Sequence, residues 1–153
     1  MKCVTLFCDG SSLGNPGAGG WCGILDYKGR QKIISGGESH TTNNRMELTA
    51  LIQSLKTLKE PCNVLVVSDS KYVLDGISKW LPNWINKNFK AVKNPDLWQE
   101  YIETSKIHKI DVMWIKGHSG HKENEICDNI AKEEALRYKL GDKNESNKVS
   151  KRN

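Results

Sequence analysis

The stretch CVTLFCDGSSLGNPGAGG, residues 3–20, decides how the rest of the chain is read. Its first six residues, CVTLFC, form a short uninterrupted apolar run, which suits a strand covered on both faces and therefore central in a sheet. Asp9 closes that run. Residues 10–20 (GSSLGNPGAGG) are so dense in Gly, Ser, Asn and Pro that they predict a loop. The same pattern returns at VLVVSD, residues 64–69, where a fully apolar run at 64–67 is followed by Ser68 and Asp69. Carboxylates at the carboxyl ends of central strands are costly unless something pairs with them, and ligand crevices in open α/β sheets lie at those ends. If the two strands are neighbours, Asp9 and Asp69 face each other. Two like charges so placed push one pKa up unless a cation holds both ionised.

Outward from these strands, residues 21–27 and 31–37 predict a hairpin around Lys28-Gly29-Arg30. From Asn43 to Lys59 the periodicity is helical, with Leu48, Leu51, Ile52, Leu55 and Leu58 on one face. Asn44, three residues before Glu47, resembles a capping box, and Pro61 stops the helix. The helix leads into the strand at 64–67, so a right-handed crossover into a parallel pair is expected. Residues 71–90 read as helical with interruptions at Gly76 and Pro82, and 95–106 as a short helix capped by Asn94 with Pro95 at its first position. Residues 111–115 (DVMWI) predict a strand and 121–140 a closing helix ended by Gly141. The order β-β-β-α-β-α-α-α-β-α is an α/β fold, a mixed sheet with helices on both faces and an antiparallel part from the hairpin.

The chain has 153 residues, enough for one domain with a core of its own. We expect that domain over residues 1–140 and a disordered tail over 141–153, where Val149 is the one aliphatic residue. No apolar run approaches the ~20 residues of a membrane helix. The start, Met1-Lys2-Cys3-Val4, passes straight into a short strand ending at an acid, unlike a signal peptide. A cytoplasmic, monomeric protein with no membrane contact is expected. Five cysteines, an odd number with no C-x-x-C pair, read as small hydrophobes rather than a disulfide framework or a zinc site.

The net charge of +5 is unevenly spread. Between Lys71 and Asn94, five lysines (Lys71, Lys79, Lys87, Lys90, Lys93) stand against one acid, Asp75, and Tyr72, Trp80, Trp84 and Phe89 lie among them. Lysines neutralise phosphates while indole rings lie against sugars or bases, so this window points towards nucleic acid, although the tryptophans would equally serve a core. Glu47 lies near the start of its helix at the flank of the apolar face, and Asp128 near the start of the last helix. Each has a plain reading as well, the first as a capping partner and the second as a charge near the positive helix end. Together with Asp9 and Asp69 they are four hard oxygen donors, a set that favours Mg²⁺ or Mn²⁺ over zinc.

Four blocks, CDGSSLGNPG (8–17), TTNNRMEL (41–48), VSDSKYV (67–73) and WIKGHSGHKENEICDNIA (114–131), resemble type 1 ribonuclease H in its stand-alone bacterial form. One D-G-S is a weak signal, but four blocks in order, each delivering its acid, are specific. The resemblance implies a five-stranded sheet in order 3-2-1-4-5 with strand 2 antiparallel to the rest. It implies endonucleolytic cleavage of the RNA strand of an RNA–DNA hybrid, leaving 5′-phosphate and 3′-hydroxyl ends. It assigns Asp9, Glu47, Asp69 and Asp128 to metal binding, with Asp9 bridging two Mg²⁺ ions, Glu47 and Asp69 holding one and Asp128 the other. Two such ions ~3.5–4 Å apart activate water and stabilise the departing 3′ oxygen. His118, between Gly117 and Gly120, is implied to shuttle a proton or assist product departure.

The resemblance further implies that Asn15, Asn43 and Asn44 reach the minor groove, where 2′-hydroxyls distinguish RNA from DNA. Thr42 and Asn94 match residues that hold a DNA phosphate, and Trp80, Trp84, Lys87, Lys90 and Lys93 match a basic protrusion lying along the DNA strand. That protrusion is shorter and less basic here than in the best-known bacterial form. His40 stands in place of an arginine near the DNA phosphate and Lys71 in place of a glutamine beside Asp69. The alternative is a non-catalytic hybrid-binding module on the same fold. Such a module has little chemical reason to keep four mutually repelling carboxylates.

Overall fold

The computed structural model describes residues 1–117 and 120–144. Its sheet is built from β1 (Lys2–Ser12), β2 (Gly17–Tyr27), β3 (Arg30–Thr41), β4 (Cys62–Ser68) and β5 (Lys109–Trp114), in the order β3-β2-β1-β4-β5. β2 is antiparallel to both β1 and β3, while β1, β4 and β5 run parallel. The helices are α1 (Asn43–Lys56), α2 (Lys71–Asp75), a π-helical turn (Gly76–Trp80), α3 (Leu81–Asn86), α4 (Pro95–Ser105) and α5 (Lys122–Asn144). This is the ribonuclease H-like α/β arrangement expected from the sequence.

Alternation along the central strands divides the core in two. Val4, Leu6 and Cys8 of β1 and Val64 and Val66 of β4 face the side covered by α1, α2 and α4, where Leu48, Leu51, Ile52, Leu55, Val73 and Trp98 complete the larger cluster. Phe7, Cys22 and Ile24 face α5 and meet Ile126, Cys127 and Ile130. Cys8, Cys22, Cys62 and Cys127 are buried and Cys3 is exposed, all as free thiols. Among the described residues no helix is long and apolar enough to cross a membrane.

Several boundaries differ from those expected. The Gly-rich segment 10–20 is mostly strand, because Gly10 pairs with Trp21, Ser11 with Gly20 and Ser12 with Gly19 across β1 and β2. Bare backbone is what neighbouring helices need there. A Cβ on Gly10 would lie 2.4 Å from the Glu47 backbone nitrogen, and one on Gly20 2.2 Å from the Ala131 carbonyl oxygen, so α1 and α5 press directly onto the sheet at these points. The first helix ends at Lys56, before Lys59, and its N-cap is Thr42, whose side chain accepts a hydrogen bond from the Arg45 N–H at 3.3 Å, so Asn44 is not the cap. Gly76 does not break the helix after Asp69, because the backbone continues through the π-helical turn to Pro82 at the start of α3. Asn94 does precede α4 but caps it without a side-chain hydrogen bond, at φ 56°. Gly141 does not end α5, which runs to Asn144, so the start of the expected tail is helical. The remainder, 145–153, lies outside the described residues.

The close approach at Gly10 makes a direct prediction. Gly10→Ala forces α1 away from β1 and is expected to lower stability by about 1–3 kcal/mol, the usual range for overpacking, as read by urea or thermal denaturation. An unchanged midpoint would show that the contact yields without cost.

Candidate active site

The parallel register of β1 and β4 pairs Phe7 with Val67. Two residues further on come Asp9, in β1, and Asp69, just past the end of β4, which therefore emerge side by side at the carboxyl end of these strands. Glu47 arrives from the other direction. Because α1 rests on Gly10, its buried first turns carry Glu47 against the end of β1. Oxygens of Asp9, Glu47 and Asp69 all lie within 4.8 Å of one another. Asp9 is 3% and Glu47 7% exposed, and Asp69 is half-buried. Glu47 is thus a member of the cluster, not a capping partner.

Such a cluster repels itself. Burial first, then the charges of Asp69 and Asp128, push the Asp9 carboxyl up to about 8, against the pull of the Gly10 N–H, which donates to Asp9 Oδ1 at 2.9 Å. Burial, followed by Asp9 and Asp69, pushes Glu47 well above the ordinary carboxylate range. All the converging donors are carboxylate oxygens, the hard ligands that suit a hard divalent cation. An added ion would relieve both the desolvation and the mutual repulsion that raise these pKa values.

Asp128 stands apart from the three. It lies on α5, near enough for its charge and a side-chain hydrogen bond to raise Asp9, but its Oδ2 is paired with Lys132 Nζ at 3.0 Å. The i,i+4 spacing on a helix is the signal that reveals such a partner in a sequence. His118 lies outside the described residues. The loop that leads to it does reach the site, since a Cβ on Gly117 would stand 2.8 Å from Asp69 Oδ2. A feature not anticipated from the sequence is Trp114, whose Nε1–H donates to the Asp69 backbone carbonyl at 3.2 Å.

The residues expected to meet substrate fall into two groups beside the cluster. In the first, Asn15 Oδ1 accepts from the Asn43 N–H at 3.0 Å, tying the β1–β2 turn to the start of α1, where Thr42 and Asn44 also lie. Arg45, another residue not anticipated, joins this group to the next. It makes two hydrogen bonds to Asp96, at 3.1 and 2.7 Å, and donates to Asn94 Oδ1 at 3.1 Å. Asn94 Nδ2 in turn donates to the Tyr72 hydroxyl, which also accepts from Trp98 Nε1. In the second group, the fully buried Trp98 meets Trp84 edge-on at 5.3 Å between ring centres, and Trp84 meets Trp80 at 5.8 Å. Trp80 is 41% exposed. Lys87, Lys90 and Lys93 are exposed along the segment that follows, whose backbone turns through positive φ at Asn88, Phe89 and Ala91.

Comparison with known proteins agrees with this geometry. The family model described as RNase H matches residues 1–136. Ribonuclease H of Campylobacter concisus (strain 13826) is 61% identical over 139 residues, covering 91% of this chain and 96% of that protein. Ribonuclease HI of Helicobacter pylori (strain ATCC 700392 / 26695) is 60% identical over 135 residues, covering 88% and 94%. Among solved structures, LC9-RNase H1, a type 1 RNase H with the type 2 active-site motif, superposes with a TM-score of 0.83 at 29% identity, over 90% of this chain and 74% of that one. LC11-RNase H1 in complex with an RNA/DNA hybrid shares the fold at a TM-score of 0.64 and 22% identity, over 88% and 97%. With its acids gathered at the ends of β1 and β4 and its length matched almost throughout, the chain belongs to the ribonuclease H family of hydrolases, in the type 1 branch.

Proposed function

We propose that this chain cleaves the RNA strand of RNA–DNA hybrids with two Mg²⁺ ions, leaving 5′-phosphate and 3′-hydroxyl ends. The observation that carries this reading is the convergence of Asp9, Glu47 and Asp69 within 4.8 Å, in a setting whose burial penalises the charges of Asp9 and Glu47. Asp9, Glu47 and Asp69 would hold metal in common, and Asp128 would add a fourth carboxylate beside Asp9. Mn²⁺, equally suited to oxygen donors, would substitute. When bound, such ions supply a nucleophile at neutral pH and stabilise charge on the leaving oxygen.

The chain's own residues do the rest. Burial of Asp9 and Glu47 excludes water from the inner face of the cluster, and the Gly10 N–H fixes Asp9 Oδ1. Asp128, partly exposed and paired with Lys132, would bring its carboxylate to the side of Asp9. His118 would carry a proton to or from the departing end. Asn15, Asn43 and Asn44 would sense the minor groove, Thr42 and Asn94 a DNA phosphate, and Trp80, Trp84, Lys87, Lys90 and Lys93 the DNA strand beyond. The Arg45–Asn94–Tyr72 connections support this assignment, because they hold the phosphate-facing amide in one orientation before substrate arrives.

Three outcomes test the proposal. Asp9→Asn and Asp69→Asn are expected to abolish cleavage of a labelled hybrid in Mg²⁺ while hybrid binding stays within a few-fold. Double-stranded RNA and DNA should remain uncut by the wild type. A variant that cuts at the wild-type rate would dismiss the assignment.

The second outcome concerns pH. The folded pKa of Asp9, about 8, lies above its ordinary value of 3.8, so the folded chain binds the extra proton. Its favourable contribution is full below about pH 4 and is lost as pH rises through about 8. In EDTA the melting temperature should therefore fall across this window, Mg²⁺ should restore more stability at pH 8 than at pH 5.5, and Asp9→Asn should flatten the trend. A Mg²⁺ increment that does not grow with pH would count against ion binding at this cluster.

Third, replacing Lys87, Lys90 and Lys93 with Gln should weaken hybrid binding and reduce the slope of log affinity against log salt by up to ~0.9 per lost phosphate contact. An unaltered slope would remove the segment from the interface.

A further inference from the structure

Trp114 ends β5 and pairs in register with Ser68 of β4. Alternation along β5 places it on the side of Ile110 and Val112, which pack against the larger core cluster, yet it is 48% exposed. Its ring is not adrift. The Nε1–H hydrogen bond to the Asp69 carbonyl fastens the indole beside a carboxylate of the active cluster. Against the same ring, 4.7 Å from its centre, lies the ammonium of Lys71. Lys71 is exposed, and among the described residues it takes part in no ion pair. It occupies the first position of α2, the end of a helix where a cation is least favoured, so helix formation does not account for it. A cation over an indole face keeps its outward N–H donors available to an anion.

We propose that Lys71 and Trp114 act as one positioning unit for the strand being cut. The indole, hooked to Asp69, fixes the Lys71 ammonium, and the ammonium binds a backbone phosphate of the RNA strand next to the one that reaches the carboxylates. The inference rests on the reading that hybrids are cleaved at Asp9, Glu47 and Asp69, because only then does an anionic strand pass this rim. It gives Lys71 a role distinct from the protrusion lysines: it acts on the strand that is hydrolysed, at a fixed distance from Asp69.

The test combines hybrid binding in EDTA over a range of salt with steady-state cleavage in Mg²⁺, for wild type, Lys71→Gln, Lys71→Arg, Trp114→Phe, Trp114→Leu and the double variant K71Q/W114L. Lys71→Gln should lower the salt slope by about 0.7–0.9 and raise KM about two- to fivefold with kcat little changed, and Lys71→Arg should restore both. Trp114→Leu should reproduce the loss, with little added by the double change. Trp114→Phe, which keeps a ring under the ammonium but removes the hook, should fall between. If Trp114→Leu does not fold, by circular dichroism, the intermediate position of Trp114→Phe decides. Lys71→Gln with wild-type slope and KM overturns the inference, as does Trp114→Leu or, in its place, Trp114→Phe with wild-type values. Wild-type protein that leaves hybrids intact overturns the underlying function instead.

Discussion

The pairing of β1 with β4 is the constraint on which the site depends. It is a parallel pairing in the one register that sets Phe7 beside Val67, and so sets Asp9 beside Asp69. A slip of one residue would exchange the two faces of a strand, burying Thr5 and Phe7 where Leu6 and Cys8 now meet Leu51 and Leu55. The apolar contacts of both faces therefore oppose the repulsion between the two carboxylates. Side chains buried along β1 and β4 hold together strand ends that electrostatics alone would part. The third acid depends on the same arrangement at one remove, because α1 reaches β1 through the bare backbone of Gly10.

The four acids are not equivalent, and burial explains why. Asp9 and Glu47 lie where charge is poorly solvated, with the half-buried Asp69 beside them, and one backbone N–H, from Gly10, favours the ionised forms of Asp9 and Glu47. Asp128 stays near water and has Lys132 one turn away. Asp9 and Glu47 thus store unfavourable energy that a bound cation can release. A cation bound at such a site would draw affinity from the core that compresses it and not from donor number alone.

The continuous apolar runs CVTLFC and VLVV, the helical period from Leu48 to Leu55 and the acids that close the two runs all carried over to the folded chain. They are local patterns, and burial repeats them in space. What escaped was set by tertiary contact. Residues 10–20 have loop composition, yet 10–12 and 17–20 become strand, with Gly10 and Gly20 needed where helices touch the sheet. Glu47 sits at the spacing of a capping partner, yet Thr42 caps the helix and Glu47 turns to Asp9. Gly141 has the composition of a terminator, yet α5 continues past it. Trp114 and Arg45 could not be placed from spacing, since Trp114 matters through the Asp69 carbonyl and Arg45 through Asn94 and Asp96, contacts that no periodicity encodes.

A protein that holds exposed lysines near buried carboxylates faces a further problem. Long side chains of opposite charge tend to collapse on each other, and a lysine folded onto the cluster would take the place of the cation it attracts. Aromatic rings meet this in two ways, one by taking a lysine onto its face and the others by anchoring the base of a lysine-bearing segment. Lys71, two residues from Asp69, lies on the Trp114 indole. The protrusion that carries Lys87, Lys90 and Lys93 is anchored at its base by the column Trp98–Trp84–Trp80, whose inner member is fully buried. At Trp114 the ring ties an exposed ammonium to the chain segment that carries Asp69, so this positive charge lies near the cluster while resting on an indole. Such an arrangement suits the hybrid we propose as substrate: cations along its path, and carboxylates that would hold metal at the point of cutting.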